Sequence, residues 1–267
     1  MRYTRVLSIA GSDSGGGAGI QADIKTISAC GGYAATAITA VTVQNTLGVT
    51  DVYPIPTEII EGQIDAVLSD IGADAIKIGM LHSIEVIEVV CRAIDKYRPR
   101  SVVLDPVMVS TSGHRLIEQS AIEMLSQELI PRATIITPNI PEAEILIGRK
   151  IASQEELPDA ARELSRGGSI SVLLKAGHLT EEMLTDIFLE ANGKIHYLSS
   201  PRLDTPNTHG TGCTLSSAVA AFLAKGLTPA EAVRSAKAYL TSALVSGARF
   251  DIGNGHGPVD HQYATRR

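Results

Sequence analysis

The residues 204–226, DTPNTHGTGCTLSSAVAAFLAKG, place His209-Gly210-Thr211-Gly212-Cys213 directly ahead of an amphipathic pattern. Leu215, Ala218, Val219, Phe222 and Leu223 recur at i, i+3, i+4, i+7 and i+8, so a helix is expected to begin about Gly212 and bury that face. Two glycines let consecutive N–H groups point the same way. With the positive end of the helix dipole they make a receptor for a developing phosphoryl charge. Cys213 sits in that field, which lowers a thiol pKa from its ordinary ~8.5 and raises the reactive thiolate fraction. Its bland alternative is a small buried apolar residue, which is the reading for Cys30 and Cys91 on helical apolar faces.

A second group carries charge. Asp105 closes Leu-Asp-Pro, and Glu142 follows Asn139-Ile-Pro in what should be the first turn of a helix. Two carboxylates at one sheet rim suit a Mg²⁺ that keeps several waters and bridges phosphates. Asp105 also fits a turn before proline, and Glu142 fits a first-turn acid favoured by the dipole. Lys175 can cancel charge on a transferring phosphate or form a surface salt bridge. The loop GSDSGGGAGIQAD has five glycines in nine residues, from Gly11 to Gly19, and leads into a helical pattern. It can hold an anion or let a ligand approach the backbone. It also contains Gly17-x-Gly19-x-x-Ala22, but the acid that a dinucleotide fingerprint expects is missing from residues 38–48. The one Gly-Lys pair, Gly193-Lys194, is followed by Ile195, so there is no P-loop, and neither H-E-x-x-H nor G-x-S-x-G occurs.

The elements that must position these residues alternate along the chain. Apolar runs RVLSIAG, AIKIG, SVVLDP, TIITPN and SVLLK are interleaved with GIQADIKTISAC, SIEVIEVVCRAI and PEAEILI. This predicts an α/β fold with a mostly parallel sheet between helices on both faces, one unit spanning residues 1–267. Pro56-Thr57, Pro141 and Pro229 mark helix starts, and Asp186 to Ser199 reads as a hairpin turning at Asn192-Gly193. In such sheets ligands sit beyond the carboxyl ends of the strands. That rim collects Ser12-Asp13, Gln44-Asn45, Gly79-Met80, Asp105, Asn139 and Lys175. Composition limits the partners. The formal charge of −6 has the wrong sign for tracking phosphate backbones, and 7 Tyr with 3 Phe and no Trp give little stacking surface, so no nucleic acid is expected. The opening apolar stretch is too short for a signal peptide and no window reaches a bilayer span, so no membrane partner and a cytoplasmic location are expected. Three cysteines without a C-x-x-C pair read as free thiols.

Taken together, AGSDSGGGAGIQADIKT, AITAVTVQNT, IKIGML, LDPVMVS, TPNIPEAEIL, LLKAGH, DTPNTHGTGCT and GNGHGPVDH resemble, in this order and over essentially the whole chain, the ribokinase-like superfamily. Within it they resemble the bifunctional hydroxymethylpyrimidine/phosphomethylpyrimidine kinases of thiamine biosynthesis. The resemblance implies two ATP-dependent phosphoryl transfers at one site: to the pyrimidine hydroxymethyl group, then to the resulting monophosphate. It implies that Gln44 and Asp23 hydrogen-bond the aminopyrimidine edge near the Gly11 backbone, with Val41, Met80 and Val107 packing on the ring. Gly210 to Cys213 would form the anion hole, with Cys213 at the position of a general base. Asp105 and Glu142, with Asn139, would hold Mg²⁺ and its waters. Lys175 would neutralise the β/γ-phosphates, and Asn139, Thr211 and Lys237 would join it on the nucleotide. A homodimer is implied by analogy. The sequence departs at Ala176, where Gly is expected, and at Pro206, which replaces a position usually polar. A related subgroup with the same Gly-x-Gly-Cys motif phosphorylates vitamin B6 forms, but Gln44-Asn45-Thr46 favours the pyrimidine.

Overall fold

The computed structural model describes residues 3–108 and 117–266. Its strands are β1 (Arg5–Asp13), β2 (Tyr33–Asn45), β3 (Gly48–Pro54), β4 (Ala75–Ile78), β5 (Val102–Leu104), β6 (Ile135–Ile136), β7 (Ser171–Leu174), β8 (Met183–Leu189) and β9 (Ile195–Pro201). Among the described residues they form one sheet in the order β3-β2-β1-β4-β5-β6-β7-β8-β9. The pairings from β2 through β7 are parallel, while β3 and the β8–β9 hairpin are antiparallel additions at the two edges. This is the expected ribokinase-like α/β architecture, with the hairpin turn at Asn192-Gly193 as read from the sequence. The antiparallel edge strand β3 was not anticipated: its residues are mostly exposed and carry no apolar run to announce it.

The helices are α1 (Gly19–Ala29), α2 (Thr57–Ala66), α3 (Ile84–Tyr97), α4 (Gln119–Met124), α5 (Ile140–Ile147), α6 (Leu157–Leu164), α7 (Thr211–Ala224) and α8 (Pro229–Gly247). Period-2 alternation sends strand side chains to two separate cores. Leu7, Ile9, Ile76, Ile78 and Leu104 pack with Ile60, Ile64, Val86 and Val90 of α2 and α3. Val6, Ala75, Val103, Ile135 and Leu173 pack on the other face with Leu215, Val219, Val233 and Leu240 of α7 and α8. Strands β4 to β7 are buried throughout, which is why they read as apolar runs interrupted only by Lys77 in β4 and Ser171 in β7. Pro229 opens α8 behind a Thr228–Glu231 capping box, and α5 opens behind an Asn139–Glu142 box, each satisfying first-turn N–H groups. The helix read from EIIEGQIDAVLSDIG keeps α geometry to Ala66 and finishes in a π turn at Val67–Ile71.

The chain leaves β1 toward β2 on one side and returns to β4 on the other. This reversal opens a crevice at the carboxyl ends of the strands, where α/β sheets bind ligands. Among the described residues, no helix is long and apolar enough to cross a membrane. Val109 and Ser110 of the LDPVMVS segment lie outside the described residues.

Candidate active site

A cavity of about 660 Å³ lies over that crevice and is walled by strand ends and helix starts. Ser12 and Asp13, Gln44, Met80, Asp105, Asn139 and Lys175 all line it, so six strand ends reach one space as the rim reading required. Gly11, Val107, Glu142, Gly210, Thr211, Gly212, Cys213 and Lys237 line it as well. Two expected residues do not. Val41 is 41% exposed on the outward face of β2, because alternation beyond the β1–β2 bulge turns Thr42 and Gln44 inward and Val41 and Val43 outward. Asp23 is fully buried beneath the cleft. Lys77 Nζ donates to both its oxygens at 2.9 Å, and Ser8 and Ser217 hydroxyls donate at 2.6 and 2.7 Å, which leaves it no free edge for a pyrimidine.

Gly11 allows Met80 to pack closely against the backbone: a Cβ there would lie 2.8 Å from Met80 Cε. Gln44 is half-buried, with Thr42 Oγ1 3.0 Å from its amide. Gly210, in the left-handed region at φ +77, caps α7 with no side-chain bond, so first-turn N–H groups remain for whatever enters the cleft. Asp105 stands across from this turn. A Cβ at Gly212 would sit 3.3 Å from both Asp105 Oδ2 and Lys175 Nζ. Lys175 Nζ donates to Asp105 Oδ1 at 2.9 Å, and the Thr137 hydroxyl donates to the same oxygen at 2.9 Å.

These contacts set the local electrostatics. Burial alone would raise the Asp105 carboxyl, but the Lys175 and Lys77 ammoniums hold it below the usual range. Burial would lower the Lys175 ammonium, yet Asp105 and Glu142 keep it raised. Burial, reinforced by Asp105, pushes Glu142 up to about 7. Glu142 Oε2 also accepts from the Asn139 N–H at 2.8 Å. Among the described residues no three His, Cys, Asp or Glu side chains converge as a metal cage. A donor pair of one ionised and one poorly solvated carboxyl, open to the cleft, nevertheless fits a Mg²⁺ that draws its other ligands from water and phosphate.

Cys213 departs from expectation. Its thiol is pushed up to about 11, not down. Burial is the largest cause, and the neighbouring Asp23 and Asp105 add to it, outweighing Lys77 and the Gly19 N–H. The helix terminus is where the sequence placed it, but burial outweighs what the helix end and the nearby ammonium offer the thiolate. Cys30 and Cys91 are buried free thiols, as read.

Two residues of the site, Lys77 and Asp186, and the partner of a third, His209, escaped sequence reasoning. Lys77, fully buried in the middle of β4, also lines the cleft; a lysine inside an otherwise apolar buried strand was the available signal. His209 pairs with Asp13 at 2.8 Å between Nε2 and Oδ2, a contact across 196 positions that no local pattern encodes. Asp186 accepts from Lys237 at 2.6 Å, tying that expected phosphate ligand to β8.

A cleft at the carboxyl ends of a mostly parallel sheet, lined by a glycine-opened helix start, a lysine, two carboxylates and a side-chain amide, fits the small-molecule phosphotransferases of the ribokinase-like class. The sequence matches the family model described as phosphomethylpyrimidine kinase over residues 13–260, and the chain belongs to that family. It is 50% identical over 256 residues to the hydroxymethylpyrimidine/phosphomethylpyrimidine kinase of Rhizobium meliloti, covering 96% of each chain. It is 47% identical to the thiamine biosynthesis bifunctional protein ThiED of Geobacter sulfurreducens, of which it spans only about half, 52%. Among solved structures, a phosphomethylpyrimidine kinase of Clostridium difficile is 45% identical with TM-score 0.78, covering 90% of this chain and 98% of that one. An ADP complex of Bacillus subtilis pyridoxal kinase is 35% identical with TM-score 0.91, covering 100% of both.

Proposed function

We propose that this chain transfers the γ-phosphate of ATP to the hydroxymethyl group of 4-amino-5-hydroxymethyl-2-methylpyrimidine, and then phosphorylates the monophosphate to the diphosphate. The observation that carries this reading is that one cleft is lined both by a side-chain amide able to donate and accept, Gln44, and by the Lys175, Asp105 and Gly210–Gly212 group. Gln44 addresses the amino and ring-nitrogen edge while Met80, Val107 and the Gly11 backbone hold the ring faces, which leaves the hydroxymethyl group toward α7. The α7 N–H groups and the Lys175 ammonium stabilise the charge that builds on the moving phosphoryl group. Lys175 can do so because its partner Asp105 is already bonded to Thr137 and does not depend on it alone. Asp105 and Glu142 would hold a Mg²⁺, which supplies charge neutralisation on the phosphate oxygens when bound. Asn139, Thr211 and Lys237 line the same cleft and would take the nucleotide. Because transfer of this kind rests on positioning and neutralisation more than on proton abstraction, a protonated Cys213 thiol is compatible with it. The three free thiols fit a reduced compartment, and we place the reaction in the cytoplasm. The outward apolar face of β2 and β3, with Val41, Val43 and Tyr53, suits a second copy of this chain, giving the implied homodimer.

The TM-score of 0.91 to a pyridoxal kinase keeps one competing substrate in view. The higher identity and the family match favour the pyrimidine. A coupled assay of ADP release with the aminopyrimidine alcohol, its monophosphate and pyridoxal separates the two. Turnover of both pyrimidines is expected, and turnover with pyridoxal alone overturns the reading.

A further inference from the structure

The segment Gly253-Asn254-Gly255-His256-Gly257-Pro258 has a glycine at every second position, and each glycine bears on a neighbour that leaves no room for a Cβ. At Gly253 and Gly255 that neighbour is Thr46, through its side chain and its carbonyl respectively. At Gly257 it is the Asn207 side-chain amide. Gly255 and Gly257 lie outside the left-handed region, so close approach and not backbone conformation demands glycine there. Hydrogen bonds follow the same line. The His256 N–H donates to the Thr46 carbonyl at 2.9 Å, and the Gly255 N–H donates to Thr46 Oγ1 at 3.3 Å. Further along, the Gly257 carbonyl accepts from the His209 N–H at 3.0 Å, and Pro258 pairs with His209 as a parallel bridge.

The two turns gripped this way belong to the cleft. Thr46 lies between β2 and β3, two residues beyond Gln44, and Asn207 and His209 lead into Gly210 at the start of α7. Asn207 cannot swing aside, because its Nδ2 donates to the Gly247 and Phe250 carbonyls at 2.8 Å each. Beyond Pro258 the chain reaches the first turn of α7. The Thr214 hydroxyl donates to the Gly210 carbonyl at 2.8 Å, and His261 Nε2 lies 3.0 Å from the same hydroxyl oxygen. The Asp260 N–H donates to the Ala243 carbonyl at 3.0 Å, which anchors this stretch on α8. One stretch of chain therefore touches both the turn that follows the Gln44 amide and the entry that presents the α7 N–H groups. Ser14 Oγ also bridges the Gln44 N–H and carbonyl, at 2.9 and 2.8 Å, but at an exposed position where water competes for both bonds.

We infer that residues 253–258 are a brace that fixes the Gln44 turn relative to the α7 entry, with Gly255 and Gly257 as the positioning residues at its two ends. Phosphoryl transfer rests on holding the acceptor alcohol and the moving phosphoryl group in register, and a misplacement of about 1 Å costs about 10²-fold. The Gln44 turn sets where the ring sits, and the α7 entry sets where the phosphoryl charge is received. Each glycine bears on a different one of these, so damage at each end has its own kinetic signature. A displaced Thr46 carbonyl moves the partner of the ring and raises KM for the pyrimidine. A displaced Asn207 moves the N–H groups that stabilise transition-state charge and lowers kcat. This inference rests on the pyrimidine kinase reading.

The test is steady-state kinetics of the full chain with the aminopyrimidine alcohol and ATP, with thermal melting to report the fold. Gly255→Ala is expected to raise KM for the alcohol about tenfold or more, while KM for ATP stays within about twofold. Gly257→Ala is expected to lower kcat about tenfold or more, while KM for the alcohol stays within about threefold. Asn254→Ala, at an exposed position between them, is expected to leave all three constants within about twofold. An unchanged KM in folded Gly255→Ala or an unchanged kcat in folded Gly257→Ala overturns the inference. So does the same loss in every constant for both variants, which is what a segment that only stabilises the fold would give. If either glycine variant does not fold, Thr46→Val, which removes the Oγ1 acceptor of the Gly255 N–H, is expected to raise KM for the alcohol about threefold or more, and an unchanged KM there has the same force. A wild-type protein that turns over neither the alcohol nor its monophosphate overturns the kinase reading and this inference with it, whereas wild-type turnover with unmoved variants overturns the inference alone.

Discussion

Two lysine–aspartate pairs bracket Cys213, and they differ in what their charges can still reach. Lys77 and Asp23 are fully enclosed beneath the cleft, and both Asp23 oxygens are taken by the ammonium with two serine hydroxyls in addition. Lys175 and Asp105 lie at the cleft wall, with side chains 13% and 3% exposed. There the pair is joined through one oxygen, and the other, Oδ2, faces the start of α7. The same ion pair thus serves two ends. Where every lone pair is satisfied the charges are fixed and act as floor; where one oxygen and part of the ammonium stay open, the pair can exchange contacts with an incoming phosphate.

Breaking the enclosed pair should have the largest effect. Lys77→Met leaves Asp23 buried without its cation, and removing one partner of a buried pair costs about 3–5 kcal/mol. Urea unfolding at pH 7.5 is expected to report a loss of that size; a loss under about 1 kcal/mol would erase the distinction between the pairs. Next comes Lys175→Ala. Removing one donor aimed at transition-state charge lowers kcat by about 10²–10³. The stability loss should be clearly smaller than for Lys77→Met, since water reaches the vacated site and Thr137 still bonds Asp105. A Lys175→Ala protein as unstable as Lys77→Met with kcat within tenfold of wild type would reverse the roles.

This contrast also explains what was legible in the sequence. The sheet could be read because β4 to β7 are buried on both faces, so their apolar runs admit few alternatives. Asp105, Asn139 and Lys175 could be read because strand ends in such a sheet converge whatever the detail of packing. Asp23, expected on the pyrimidine only from the family resemblance, is instead claimed by Lys77, 54 positions away, a pairing that no local pattern reports. Val41 misled because the bulge between β1 and β2 shifts the alternation by one residue, and one residue is enough to turn a side chain to the opposite face. Asp13 and His209 are close in space only through the closure of the whole sheet, and no spacing rule reports that.

Cys213 gives the smallest and sharpest test, because it feels both pairs at once. Lys77 favours its thiolate, while burial, Asp23 and Asp105 oppose it, and the balance leaves the thiol near 11. At neutral pH it is therefore protonated. A general base contributes about 10²–10⁴ to rate, and a protonated thiol supplies none of that, so Cys213→Ala is expected to lower kcat by less than about tenfold. Alkylation by iodoacetamide should be slow at pH 7.5 and climb steadily through pH 9 to 10, following the rising thiolate fraction. An alkylation rate that levels off below pH 8, or a kcat loss of about 10² or more in Cys213→Ala, would mean that the enclosed Lys77 governs the sulfur and that the two aspartates do not.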